Sequence, residues 1–120
     1  NRIEELGLAD EVLQGDATNP TEVLDMVKEA TDGELVDVVI NNVNIPNTEM
    51  ASILPCKDGG LVYFFSMATS FTKAALGAEG VGKDVEMIVG NGYTRGHAAI
   101  SLEILRENEK LREIFTKLYT

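Results

Sequence analysis

The sequence has 120 residues, with 20 acidic and 10 basic side chains, a formal charge of −10, one His, one Cys and no Trp. Hydrophobic residues make up 44% and charged residues 25%, the balance of one folded domain rather than of a disordered tail. The acidic excess argues against a nucleic-acid or anionic-membrane partner, since phosphate contacts need clustered Lys and Arg. No apolar run reaches membrane-spanning length, and the opening residues do not read as a signal peptide. Cys56, with no second cysteine to pair with, favours a reducing, cytoplasmic setting, and one Cys with one His leaves no zinc set, so no metal is expected.

In chain order, Arg2 to Leu6 reads as the last turns of a helix closed by Gly7. Residues 9–13 read as a short strand. A helix spans Pro20 to Thr31, with Thr18 or Asn19 as cap and Pro20 in its first turn; Val23, Met26, Val27 and Ala30 recur at helical spacing and form a buried face. Val36 to Ile40 is a β-branched run of the kind buried on both faces of a parallel sheet. A short helix over 48–54 stops at Pro55, a strand follows over 60–66, a helix over 70–76, and a last strand over 84–89. His97 to Tyr119 reads as one long helix with a core stripe of Ile100, Ile104, Leu111, Phe115 and Leu118; Glu103, Arg106, Glu107, Lys110 and Arg112 face water.

Strands separated by helix-length segments imply βαβ units, hence the α/β class. Residues 1–120 are expected to be the C-terminal part of a single Rossmann-type domain. That is a partial doubly wound parallel sheet ending in a long helix, without its N-terminal strands and glycine-rich loop. In the common strand order, the run at 36–40 then lacks a neighbour and has to be covered by self-association or rearrangement.

Ligands of open α/β sheets bind beyond the carboxyl ends of the strands. That rule selects Gly15-Asp16-Ala17-Thr18, Asn41-Asn42-Val43-Asn44, Ser66-Met67-Ala68-Thr69 and Gly90-Asn91-Gly92-Tyr93, all small, polar or glycine-rich. Ordinary turn chemistry explains each one singly; their recurrence after four strands suggests a site. The GxGxxG fingerprint is absent. Gly77-Ala78-Glu79-Gly80-Val81-Gly82 has its spacing reversed, and Gly90 to Gly96 is either a phosphate-binding turn or a tight turn into the last helix. His97, beside Tyr93 and Arg95, is a weak candidate for orienting a substrate against the reading of a cap or surface residue. Lys73 and Lys83 read as surface ion pairs or as partners of a substrate carboxylate. No catalytic triad, phosphate-binding loop or carboxylate metal cluster is visible, and the catalytic group stays unassigned.

Glu4-Glu5-Leu6-Gly7-Leu8-Ala9-Asp10-Glu11-Val12, Val36-Asp37-Val38-Val39-Ile40-Asn41-Asn42-Val43 and Asp58-Gly59-Gly60-Leu61-Val62-Tyr63-Phe64 together resemble the cofactor domain of medium-chain dehydrogenases/reductases. More narrowly, residues 42–50, 64–80 and 90–98 resemble a branch that oxidatively deaminates 3,5-diaminohexanoate in lysine fermentation. The resemblance implies an NAD or NADP cofactor, a small-molecule substrate, and release of ammonium from an oxidised amine carbon. It places Asp16 and Ala17 beside the adenine, Asn42, Val43 and Asn44 along the cofactor, and Ser66, Met67, Ala68, Asn91 and Gly92 near the nicotinamide. It also implies a homodimer through edge pairing of strand 85–89, with the exposed edge near 36–40 as the other route. Without the glycine-rich turn, this stretch alone is expected to bind cofactor weakly or not at all and to be inactive. Two rivals remain open at this point: another medium-chain oxidoreductase acting on an alcohol or enone, and a non-catalytic doubly wound binding module.

Overall fold

The computed structural model describes residues 2–90 and 94–119. It divides into two compact units, one built from residues 13–91 and the other from residues 1–12 and 92–120.

The larger unit contains a three-stranded parallel sheet in the order β1-β2-β3, formed by Val36–Asn41, Cys56–Phe64 and Glu86–Val89. The helices α2 (Pro20–Ala30), α3 (Glu49–Ile53) and α4 (Phe71–Gly80) belong to the same unit, while α1 (Arg2–Leu6) belongs to the other. The partial α/β, Rossmann-like architecture expected from the pattern is present. Asn19 caps α2 by accepting from the Glu22 amide at 3.2 Å, and Pro20 opens the helix, where its missing N–H costs nothing. Val23, Met26 and Val27 are half-buried, whereas Ala30 is exposed.

Strand periodicity explains where the core sits. Val39 and Asn41 pair with Val62 and Phe64, which pair with Met87 and Val89. This face packs on Ile53 of α3 and on Ala74 and Ala78 of α4, and Ile53, Val62 and Phe64 are fully buried. Each such side chain contributes about 1.5–3 kcal/mol of burial. The alternate residues point to the other face, where Val38 is 53% exposed and Ile40 63% exposed. Burial of the 36–40 run on both faces is therefore not realised in this chain. Among the described residues β1 pairs with β2 alone, leaving its other edge unbonded.

Several boundaries differ from the sequence expectation. Residues 9–13 form no strand: with no neighbouring strand to bond, the half-polar segment Ala9-Asp10-Glu11 stays exposed and irregular. Gly7 closes α1 as expected, at φ +64°. β2 begins at Cys56, four residues before the expected start, because Cys56 already pairs with Val36 and the excursion through Lys57 to Gly60 is a bulge rather than a turn. α4 runs on to Gly80; at Gly77, where an added Cβ would meet the Met50 sulfur, a bare backbone lets α4 approach α3.

The C-terminal helical segment is divided into α5 (His97–Glu107) and α6 (Glu109–Tyr119). Asn108 adopts an extended conformation, donates its amide to the Ile104 carbonyl at 3.1 Å, and accepts from the Leu111 amide at 2.8 Å through its side chain. It closes one helix and caps the next. The stripe does not form a core here: Ile100, Ile104, Phe115 and Leu118 are exposed and Leu111 is half-buried. The charged residues of the opposite side are exposed as expected.

The bulge makes a steric prediction. A Cβ at Gly60 would lie 2.8 Å from the Asp37 carbonyl oxygen and 2.9 Å from that of Lys57, both main-chain atoms that cannot swing away. Gly60→Ala is expected to lower stability by about 2 kcal/mol, read as a reduced urea midpoint with an unchanged slope.

Candidate functional site

All three strands point the same way, so the segments after β1 and β2, and Gly90 after β3, lie at one end of the sheet. The Gly90 amide donates to the Phe64 carbonyl at 3.1 Å and the Phe65 amide to that of Asn41 at 3.0 Å, which carries the sheet bonding right to the start of the loops.

The organising side chain at this end is Asn41, the last residue of β1 and 5% exposed. Its amide nitrogen donates to Thr48 Oγ1 at 2.9 Å and Ser52 Oγ at 2.8 Å, and its oxygen accepts from the Val43 amide at 2.9 Å. Ser52 in turn donates to the Thr48 carbonyl at 3.1 Å. One amide thereby ties the strand end, the following loop and α3 together, and satisfies groups that would be costly to bury unpaired. Asn42 and Asn44 stay exposed in the loop.

The predicted site residues are partly brought together. Ser66 Oγ donates to Asn44 Oδ1 at 3.4 Å, joining the loops after β1 and β2, and also accepts from the Ala68 amide at 3.1 Å. Ser66 and Ala68 are half-buried, while Met67 between them is 83% exposed. Ala17 and Val43 line an open cavity of about 340 Å³ against the Val38–Asn41 stretch of β1. Asp16 is engaged in its own turn: its Oδ1 accepts from the Thr18 hydroxyl at 2.6 Å and the Thr18 amide at 2.9 Å, and these bonds hold its carboxyl below the usual range. Asn91, Gly92 and Tyr93 lie outside the described residues.

Arg95 and His97 belong to the smaller unit and are exposed. The His97 ring nitrogen Nδ1 lies 3.0 Å from the Thr94 carbonyl just before α5, while the N-cap position is Gly96, at φ +80° and with no side-chain cap bond. The two lysines do not make the expected carboxylate pairs. Lys73 donates to Asn47 Oδ1, and Lys83 to the Cys56 carbonyl at 2.7 Å, whereas the described ion pair is Lys57 with Asp37. Burial pushes the Cys56 thiol up, away from thiolate chemistry. No group of three or more metal-ligating side chains occurs among the described residues, and none of their helices is long and apolar enough to cross a membrane.

Sequence reasoning passed over Thr48, Glu49 and Ser52, which with Asn41 are the buried polar residues among those described. The signal was present: Thr48 and Ser52 are four apart and share a helix face next to a strand that ends in Asn.

No family profile matches the chain. Two curated relatives do. One, from Acetoanaerobium sticklandii, is 62% identical over 115 residues, or 96% of this chain. The other, from Fusobacterium nucleatum, is 65% identical over 108 residues, or 90% of this chain. Both carry the name L-erythro-3,5-diaminohexanoate dehydrogenase. This chain is similar to that dehydrogenase over nearly its whole length. It spans about a third of the relatives' own length, 33% of one and 31% of the other. The relationship to a dehydrogenase joins the sheet geometry to a functional class, and the narrower resemblance read in residues 42–50, 64–80 and 90–98 agrees with it.

Two measurements check the local chemistry. Asn41→Ala removes the partner of Thr48 Oγ1 and of the Val43 amide and leaves Ser52 only its bond to the Thr48 carbonyl, and is expected to cost about 1–3 kcal/mol in chemical denaturation. Asp16 is held below its unfolded value, so its contribution to stability is present above the ordinary carboxylate range and is lost as pH falls through its depressed native value. Thr18→Val removes the larger cause and keeps the amide bond. Asp16 should then titrate at a higher pH, closer to the ordinary value, by carboxyl NMR.

Proposed function

We propose that this chain is part of an NAD(P)-dependent oxidoreductase that oxidatively deaminates 3,5-diaminohexanoate. The observation that carries the reading is the 62–65% identity to proteins named for that activity, on a chain whose strands all deliver their loops to one end. The residues at that end fit one portion of a dinucleotide. The Asn42 and Asn44 side chains are exposed, the Ser66 hydroxyl is half-buried, and the loops between them are short. The glycine-rich phosphate turn is not among these residues, so the 120-residue stretch alone binds NAD or NADP weakly and does not turn over.

A bound nicotinamide supplies the hydride acceptor that oxidises the amine-bearing carbon. The work of this chain is positional. Asn42, Val43 and Asn44 line the cofactor, Ser66, Met67 and Ala68 approach its reactive end through side chain and main chain, and Asp16 and Ala17 border the adenine. Asn91 and Gly92 are assigned to the same edge by sequence alone. Arg95 and His97, with Tyr93, remain the candidates for substrate contact. The protein works in the cytoplasm as a homodimer, through edge pairing of strand 85–89 or through the open edge of β1, whose Val38 and Ile40 are exposed.

The test uses the whole dehydrogenase that carries this chain, supplied with NAD or NADP and either 3,5-diaminohexanoate or a simple alcohol. The expected result is reduction of nicotinamide with the diamine only, with one ammonium released per reduced cofactor. Preference for the alcohol, or reduction without ammonium, would overturn the assignment.

A further inference from the structure

Glu49 is a carboxylate in the first turn of α3 that is only 3% exposed. A buried charge needs a specific partner. Here the partner is a main-chain group of another loop: Glu49 Oε1 accepts from the Ser70 amide at 2.8 Å. Ser70 is the cap of α4, its own hydroxyl accepting from the Lys73 amide at 3.3 Å. Lys73 sends its ammonium back to Asn47 Oδ1, two residues before Glu49. The segment from Asn47 to Glu49 and the segment from Ser70 to Lys73 are thus laced in both directions.

Glu49 also adjoins Thr48, which Asn41 holds from the end of β1. Asn41 fixes the beginning of the first loop by its bond to the Val43 amide, and Glu49 carries the same constraint across to the end of the second. We propose that Glu49 is a positioning residue that holds the Ser66–Ser70 loop in register with the Asn42–Asn44 loop, so that both meet the nicotinamide cofactor together. The proposal rests on the cofactor reading given above. Packing alone does not call for a carboxylate here, because an apolar residue of similar size would be cheaper to bury. What the carboxylate supplies is a charge-assisted bond to one amide in a loop whose neighbouring Ser66 already bonds Asn44.

The experiment uses the whole dehydrogenase as wild type, Glu49→Ala and Glu49→Gln, with NADH and NADPH titrated calorimetrically and both KM values measured. Glu49→Ala is expected to raise the cofactor Kd and KM about tenfold, with the diamine KM changed less than about twofold. Glu49→Gln, whose amide oxygen still accepts from Ser70, should recover the affinity to within about threefold of wild type. Wild-type affinity in Glu49→Ala overturns this proposal alone, whereas failure of the wild-type protein to bind either dinucleotide overturns the functional reading and this proposal with it. Should the alanine variant not fold, amide exchange in the wild type decides. Bound cofactor should slow exchange at Ser70 and Val43 together, and slowing at only one of them or at neither overturns the proposal.

Discussion

The loop architecture depends on the side chain of Asn41 as a strand terminus. A parallel strand ends in main-chain groups that the next residues must satisfy, and a loop that leaves the sheet carries its own unpaired amides. Asn41 meets both demands at once, taking the Val43 amide on its oxygen and giving its nitrogen to the two hydroxyls of Thr48 and Ser52. Thr48 sits at the entrance of α3 without capping it: its φ of −108° and ψ of 2° lie outside the extended region usual for a cap, and its hydroxyl accepts from Asn41. Losing an ordinary cap costs about 1 kcal/mol. The same hydroxyl in the buried network replaces a group whose unmet desolvation costs about 1–3 kcal/mol. The bond from Asn41 is therefore worth at least as much as the cap that Thr48 does not make.

The sheet is finished on one side only. Its core face is buried around Phe64, Val62 and Ile53, while Val38 and Ile40 on the other face stay exposed beside an edge that is unbonded among the described residues. A sheet edge of this length with β-branched residues is a template for pairing. The apolar stripe of α5 and α6 has the same character, with Ile100 and Leu118 each 57% exposed. Both surfaces have the composition of interior and the accessibility of exterior.

The strands and helices of the larger unit were legible because their signals are local. Pro20 after Asn19 and the β-branched run at 36–40 act through main-chain conformation or periodicity, which a sequence displays directly. The errors arose where a remote partner decides. Ala9 to Leu13 has strand-like composition and lacks a neighbour to bond. Lys57 to Gly60 has turn-like composition, yet it is drawn into a strand by Asp84, whose carbonyl accepts from Gly59 and whose amide donates to Asp58. Asn108 reads as a tolerable polar residue inside a helix, whereas its side chain supplies the bond that starts a second one. For the site, the loops themselves could be selected by the rule that strands deliver ligands at their carboxyl ends. Glu49 could not, because a glutamate in a first turn reads as a solvated dipole partner until the Ser70 amide is found 21 residues away.

The distribution of rigidity within the second loop bears on what that loop is for. Ser66 is held by Asn44 and by the Ala68 amide, and Ser70 by Glu49, so the segment is pinned near both ends. Met67 lies between the pins and exposes 83% of its surface. Other large apolar side chains are exposed as well, Phe71 at 69% and Leu76 at 61%, so the exposure of Met67 alone does not mark a ligand surface. Here the polar neighbours are fixed and the flexible thioether is presented outward, next to the loop that carries Asn42 and Asn44. A flat aromatic ligand lying against such a surface gains apolar contact from the methionine and orientation from the pinned polar groups, with little ordering left to accomplish on binding. That division of labour is compatible with the nicotinamide-facing role proposed for Ser66, Met67 and Ala68.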